Sequence, residues 1–326
     1  HGLVERADED NAWVCVLAKS YEMIDDSTWE FKLRDDVTWH NGDPFTAADV
    51  KYTYERAATD ESLAENHIFK VIKEVQIIDD YTVRFVTDGP YPTMLSLLSK
   101  NGSQVMPSKY IEENGMDYYL EHPIGCGPYQ FKEWVKDNVV VLERYDDYFG
   151  GTPYWDEVRF RAIPEASTRV AELLTGNVDI IVNVPTNEWD RINADENTEM
   201  VLGNGTRIYN VIMKWNTSPT QNKQLREAVA YAIDAQTIID TVLKGAGTPC
   251  YTRIAPGVFG QDESLYNINK YDPDKAKELF ASSGYNGEEI ELLVPSGRYL
   301  MDSEVGKVVA AMLQEAGLNI KLNVRE

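Results

Sequence analysis

The sequence predicts an α/β protein with two kinds of unit: a mixed α+β unit over roughly the first 120 residues and a regular strand–helix alternation beyond residue 206. Three observations carry this. The chain has 326 residues, more than one ordinary domain of roughly 100 to 200. An early segment alternates apolar and polar residues with period two, and a late one repeats strand and helix signatures at short spacing.

In order along the chain, residues 28–34 (TWEFKLR) place Trp29, Phe31 and Leu33 on one side of an extended strand. Within 40–57 (HNGDPFTAADVKYTYERA), Asn41-Gly42 marks a turn. Thr46, with Asp49 three residues on, makes a capping box that opens a helix to about Ala58, with Val50 and Tyr54 on one face. The runs 75–78 and 82–86 flank Asp79-Asp80-Tyr81 as a hairpin. From 124, Gly/Pro punctuation leads into a strand, 139–145 is another, and 149–153 is a loop. Then 156–163 predicts a strand, 166–176 a helix closed by Gly176, and 178–184 a strand, a strand–helix–strand unit. Beyond 206 come a strand (207–215), helices (224–233, 235–244, 273–283), a strand (289–294), a helix (303–316) and a strand (318–324). Asp272 caps, Pro273 takes the first helical position and Gly284 ends that helix. Helices of this length between strands predict a largely parallel sheet.

Composition narrows function. Hydrophobic residues make up 43% and charged residues 26%, globular values. With 54 Asp+Glu against 31 Lys+Arg the net charge is -23, which repels phosphate backbones and anionic membrane surfaces, so nucleic acid is no partner. No apolar run approaches the roughly 18 residues of a spanning helix. The opening HGLVERADED lacks a basic-then-apolar leader, so any export signal has been removed or lies upstream. Cys15, Cys126 and Cys250 form no Cys-x-x-Cys pair and read as buried, inert thiols.

No catalytic motif emerges. The histidines His1, His40, His67 and His122 are scattered and read as structural or solvated. No His-Glu-x-x-His, Gly-x-Ser-x-Gly, Walker loop or complete dinucleotide fingerprint occurs. The pairs Asp25-Asp26, Asp35-Asp36, Asp79-Asp80 and Asp146-Asp147 sit in polar stretches and read as solvated turns. No cofactor and no metal ligand are expected. The 19 tyrosines and 7 tryptophans can line a ligand cleft at low entropic cost.

The segment 29–57 (WEFKLRDDVTWHNGDPFTAADVKYTYERA) resembles the hallmark stretch of family 5 solute-binding proteins of ABC importers, the oligopeptide, dipeptide and nickel class. PIGCGPYQFKEW, LERYDDYFGGTPYWDEVRF, AELLTGNVDIIVNVP, LREAVAYAIDAQTIIDTVLKGAGTP and YDPDKAKELFASSGYNG follow collinearly, each similar to a family block. Cys126 departs from the threonine usual between those two glycines, but a small residue is kept.

The resemblance implies a periplasmic-binding-protein-like, two-lobed fold (type II, cluster C). Residues 1–124 would be an extra α+β subdomain of lobe one, 125–205 the central part of lobe one, and 206–326 the first half of lobe two. It also implies a chain truncated at both ends relative to the family, with part of the ligand-binding wall beyond Glu326. Implied partners are a peptide ligand and the membrane permease subunits of an ABC importer, for a monomer in the periplasm or at the cell surface, with or without a lipid anchor. A nickel or metallophore ligand, or a sensor domain on the same fold, is the alternative, and an enzyme such as a peptidase lacks any supporting motif. Ligands of open α/β sheets lie outside the carboxyl ends of strands. Asn183 and Val184, ending 178–184, and Tyr209 and Asn210 in the crossing strand 207–215 are therefore the expected ligand contacts.

Overall fold

Apolar alternation becomes a sheet only where a partner backbone lies alongside, and the structure separates the runs that find one from those that do not. The computed structural model describes residues 1–7, 12–203, 205–265 and 270–325. It forms two compact units, His1–Ala162 and Ile163–Glu326. The first contains β1 (Val4–Arg6), β2 (Trp13–Cys15), β3 (Ala18–Asp25), β4 (Thr28–Leu33), α1 (Ala47–Thr59), α2 (Asn66–Phe69), β5 (Ile72–Asp79), β6 (Thr82–Thr87), α3 (Met94–Leu98), α4 (Ser108–Asn114), α5 (Met116–Glu121), β7 (Tyr129–Val135), β8 (Val139–Arg144) and β9 (Glu157–Arg161). The second contains α6 (Ala166–Leu174), α7 (Trp189–Asn193), α8 (Lys223–Ala232), α9 (Ala235–Thr241), α10 (Pro273–Ser282), β10 (Ile290–Pro295), α11 (Asp302–Glu315) and β11 (Ile320–Arg325).

In the first unit an antiparallel sheet of order β3-β4-β6-β5 forms around the predicted strand and hairpin. Trp29, Phe31 and Leu33 of β4 are buried, and Phe31 meets Phe85 edge-on at 5.4 Å. Helix α1 covers this face with Val50 and Tyr54. The Tyr54 ring contacts Phe85 at 5.1 Å, and its hydroxyl donates to the Ser103 carbonyl at 2.7 Å. The capping pair is present, with the Thr46 amide donating to Asp49 Oδ2 at 2.9 Å. Asp49 is itself buried. Its carboxylate also receives the Ser108 amide (2.8 Å), the Ser108 hydroxyl (2.7 Å) and Trp39 Nε1 (3.3 Å). One side chain thus caps α1 and ties it to α4 and the 39–45 turn.

Strands β7, β8 and β9 form a separate antiparallel meander. The predicted strand 156–163 therefore pairs backward with β8 rather than opening a parallel unit. The predicted strands 178–184 and 207–215 have no ladder among the described residues. Both runs carry a strand's side-chain pattern, but neither pairs with a described strand, and Ile180 is 83% and Ile212 82% exposed. The largely parallel sheet expected beyond 206 is present as one parallel pair, β10 with β11, joined through α11.

The second unit's core forms where amphipathic helices meet that pair. Leu225, Ala228, Val229 and Ala232 share one face of α8, and Val305, Val309, Ala310 and Leu313 one face of α11, the three-to-four spacing of a buried stripe. They enclose Ile238, Ile239, Phe280 and Ile320. Caps fix the helix starts: Asn222 accepts from the Leu225 amide, Asp234 from Thr237 and Asp272 from Lys275. Gly306 lets α11 approach β10, since a Cβ there would lie 2.4 Å from Val294 Cγ1. We expect Gly306→Ala to destabilise the protein by about 1 to 3 kcal/mol through overpacking, although alanine gains about 1 kcal/mol of helix propensity. Urea denaturation reads the sign, and a stabilised variant would show that Val294 yields freely.

Candidate functional site

The site is built in the second unit from three chain segments. The first is the turn after 178–184. Asn183 adopts φ 55°, the left-handed region that asparagine tolerates better than most residues. Its carbonyl accepts from Arg169 Nη2 at 3.3 Å, and Arg169 also reaches the Ile163 and Pro164 carbonyls. The Asn183 side-chain amide makes no hydrogen bond among the described residues and is exposed. Val184 is buried against Val170, Trp189 and Ile192, and Trp189 Nε1 donates to its carbonyl at 3.1 Å. Thr186 closes the turn by donating to the Val242 carbonyl.

The second segment is 207–210. The Tyr209 hydroxyl donates to the Leu300 carbonyl at 2.5 Å, and the ring meets Tyr299 edge-on at 6.3 Å. Partial burial first, and the nearby Asp302 carboxylate second, push its phenol up to about 12, with the Arg207 guanidinium pulling the other way. Asn210 is exposed and bonds only weakly to its neighbour, the Ile208 carbonyl, at 3.4 Å.

The third segment, 296–302, joins the carboxyl end of β10 to α11, and sequence reasoning missed it. Arg207 and Arg298 place their guanidinium carbons 5.1 and 5.2 Å from the Tyr299 ring centroid, cation–π contacts. Both arginines are exposed. Among the described residues neither pairs with a carboxylate, whereas Arg34, Arg84, Arg144 and Arg191 each do. Leu300 connects the segments, its side chain packing on the Val184 cluster while its carbonyl holds Tyr209. The structure thus brings Val184 and Tyr209 to one loop and, among the described residues, leaves Asn210 with a local side-chain bond only. The rule that ligands sit at carboxyl ends of parallel strands, applied to 289–294, would have flagged Arg298 and Tyr299.

The two roles open to Asn183, holding a left-handed turn and offering its amide to a ligand, separate on substitution. Asn183→Gly keeps the conformation and removes the amide, so stability should stay within about 0.5 kcal/mol of the wild type. Asn183→Ala should cost about 1 kcal/mol from the left-handed backbone alone. Equal melting temperatures for the two variants would show that the turn relaxes.

Elsewhere the paired carboxylates read as solvated turns, and the cysteines read as inert thiols, have the following surroundings. Asp25 is held below the usual carboxylate range by the Ser27 amide, Asp35 by Lys19 and Asp79 by the Tyr81 amide, the signature of ionised turn residues. The three cysteines are free; Cys126 is buried, Cys15 and Cys250 half-buried. Burial raises the Cys15 and Cys126 thiols, which makes both poor nucleophiles. Among the described residues no group of three His, Cys, Asp or Glu could hold a metal ion, and no helix is long and apolar enough to cross a membrane.

Solved structures place this architecture among the periplasmic binding proteins of cluster C. The binding protein AgaA of A. tumefaciens R10, in complex with agropinic acid, superposes with a TM-score of 0.86 at 28% identity, covering 100% of this chain and 66% of that one. The ABC transporter-associated periplasmic binding protein DppA of Helicobacter pylori, in complex with the peptide STSA, gives 0.85 at 25% identity, covering 100% and 67%. The chain belongs to the bacterial extracellular solute-binding proteins, family 5, whose middle region matches residues 13–326. The glutathione-binding protein GsiB of Salmonella paratyphi A is 27% identical over 314 residues, covering 95% of this chain, which spans 61% of that relative's length.

Proposed function

We propose that this chain is the ligand-capturing part of an extracytoplasmic solute-binding protein that takes up peptides bearing a free carboxylate and hands them to an ABC permease. The observation that carries this is the pair Arg207 and Arg298 around Tyr299, neither bound to a carboxylate among the described residues. In a chain of net charge -23, two exposed guanidiniums without acidic partners among the described residues are a local reversal of sign. Guanidinium binds carboxylate in a fork geometry. Tyr209 adds an aromatic wall, and Asn183 a donor and an acceptor suited to a peptide main chain; Val184 backs the turn and Asn210 flanks it. The glutathione, STSA and agropinic acid of the relatives' names fit a ligand with this chemistry. Residues 1–124 would form the extra subdomain of lobe one, 125–205 its central part and 206–326 the first half of lobe two, with ligand favouring the closed state that a permease recognises. The protein acts as a monomer and catalyses no reaction.

Calorimetric titration with Met-Leu and STSA, each beside its carboxyl-terminal amide, and with glutathione beside its doubly amidated form, tests the reading. Saturable binding of at least one free-carboxylate form is expected, weakened by about 1.5 to 3 kcal/mol in Arg207→Gln/Arg298→Gln. The proposal fails if no free-carboxylate form binds, or if the double variant binds as the wild type does.

A further inference from the structure

Asp302 opens α11, is 5% exposed and pairs with no cation among the described residues. Its Oδ1 accepts from the Gly297 amide at 3.1 Å and the Ser303 amide at 2.9 Å. Its Oδ2 accepts from the Arg298 amide at 3.0 Å and the Tyr299 amide at 2.9 Å. Three successive amides, 297 to 299, thus converge on one anion in the manner of an anion-binding nest, except that the anion is the protein's own side chain. The backbone that makes this possible includes Gly297 at φ 78° and Met301 at φ 53°, left-handed conformations that the surrounding bonds must hold. The Tyr209 hydroxyl grips the same loop through the Leu300 carbonyl.

We infer that Asp302 is a positioning residue for ligand recognition: its buried carboxylate fixes the loop that keeps Arg298 and Tyr299 beside Arg207. This rests on the carboxylate-binding role proposed above for the two arginines. A cap that merely started a helix would need one or two amides at the helix N-terminus. Asp302 instead receives three from the preceding loop, including those of the two residues that carry the cation and the ring. Freed, the loop would let Arg298 leave the Tyr299 ring and sample rotamers, and the ligand would bear the cost of ordering it again.

The test is Asp302→Asn, whose amide nitrogen cannot accept, so that one pair of loop or helix amides loses its partner. The ratio of affinities for Met-Leu and its carboxyl-terminal amide should fall about tenfold, with little change in affinity for the amidated form. A general loss of stability would lower both affinities alike and leave the ratio unmoved. Tyr209→Phe, which frees Leu300 without touching the buried carboxylate, should lower the ratio in the same direction and covers the case in which Asp302→Asn does not fold. A folded Asp302→Asn variant with the wild-type ratio overturns the inference. If Arg207→Gln/Arg298→Gln leaves the ratio unchanged, the carboxylate reading is what fails. Hydrogen exchange without ligand then decides the loop: amides 297–299 should exchange at least tenfold faster in Asp302→Asn, and unchanged rates overturn its positioning role.

Discussion

Replacing Asp49 by alanine should lower the stability of the first unit by about 3 to 5 kcal/mol. The carboxylate is buried and receives four donors, the Thr46 and Ser108 amides, the Ser108 hydroxyl and Trp39 Nε1. Alanine leaves all four without a partner in a region closed to water, and each buried donor left unsatisfied costs about 1 to 3 kcal/mol before relaxation recovers part of it. The loss of a helix cap alone would cost about 1 kcal/mol, so a result near that value would mean that water replaces the carboxylate. Denaturant unfolding followed by tryptophan fluorescence measures it, since Trp39 lies in the same network. Asp49→Asn should fall between the two, because one oxygen keeps part of the set.

His40→Ala should cost about 2 to 4 kcal/mol and should remove part of the protein's sensitivity to acid. The ring clamps two chain segments: Nδ1 accepts from the Gly125 amide at 3.1 Å and Nε2 donates to the Gly127 carbonyl at 3.0 Å. Only the neutral imidazole protonated at Nε2 can do both. Burial pulls the His40 pKa below its ordinary value, the bond to Gly127 working in the other direction. In the unfolded chain the ring titrates near 6.5, so as pH falls through that value the unfolded state takes up a proton that the folded state refuses. The clamp's stabilisation is thus complete above about pH 6.5 and declines as pH falls to the lowered folded value. The stability difference between wild type and His40→Asn, measured from pH 7.5 to 5, should shrink in this window. A constant difference would show that His40 stays unprotonated in both states or protonated in both.

Much of this was legible in the sequence, and the failures share a cause. The Thr46/Asp49 spacing announced a cap, and the period of residues 28–34 announced β4, because both signals are local. Asp49 was readable as a cap but not as a hub, since Ser108 lies 59 residues away and nothing in the intervening sequence marks the contact. The runs 178–184 and 207–215 carry strand patterns as clear as that of β4, yet they form no ladder among the described residues, because hydrogen bonding to a second backbone is not a property of the run itself. The same limit hid the arginines. That Arg207 and Arg298 lack carboxylate partners among the described residues while Arg144 has two is decided by where chain segments meet, which no residue spacing encodes.

The order β3-β4-β6-β5 leaves β3 and β5 as the outer strands of the first unit's main sheet. Open strand edges invite another extended chain to add on, the route by which sheets aggregate. That hazard is acute for a protein whose proposed cargo is itself an extended chain. Both edges are interrupted. Register shifts fall between Ala18 and Ser20 and between Met23 and Asp25 on β3, and between Ile72 and Glu74 and between Ile77 and Asp79 on β5. Charged side chains stand among the exposed Met23, Ile24, Ile77 and Ile78: Lys19, Glu22 and Asp25 on one strand, Lys73, Glu74 and Asp79 on the other. A peptide arriving at either edge meets a broken ladder and fixed charge, so the sheet discourages docking where nothing would select the guest, and concentrated protein should resist fibril growth from these edges.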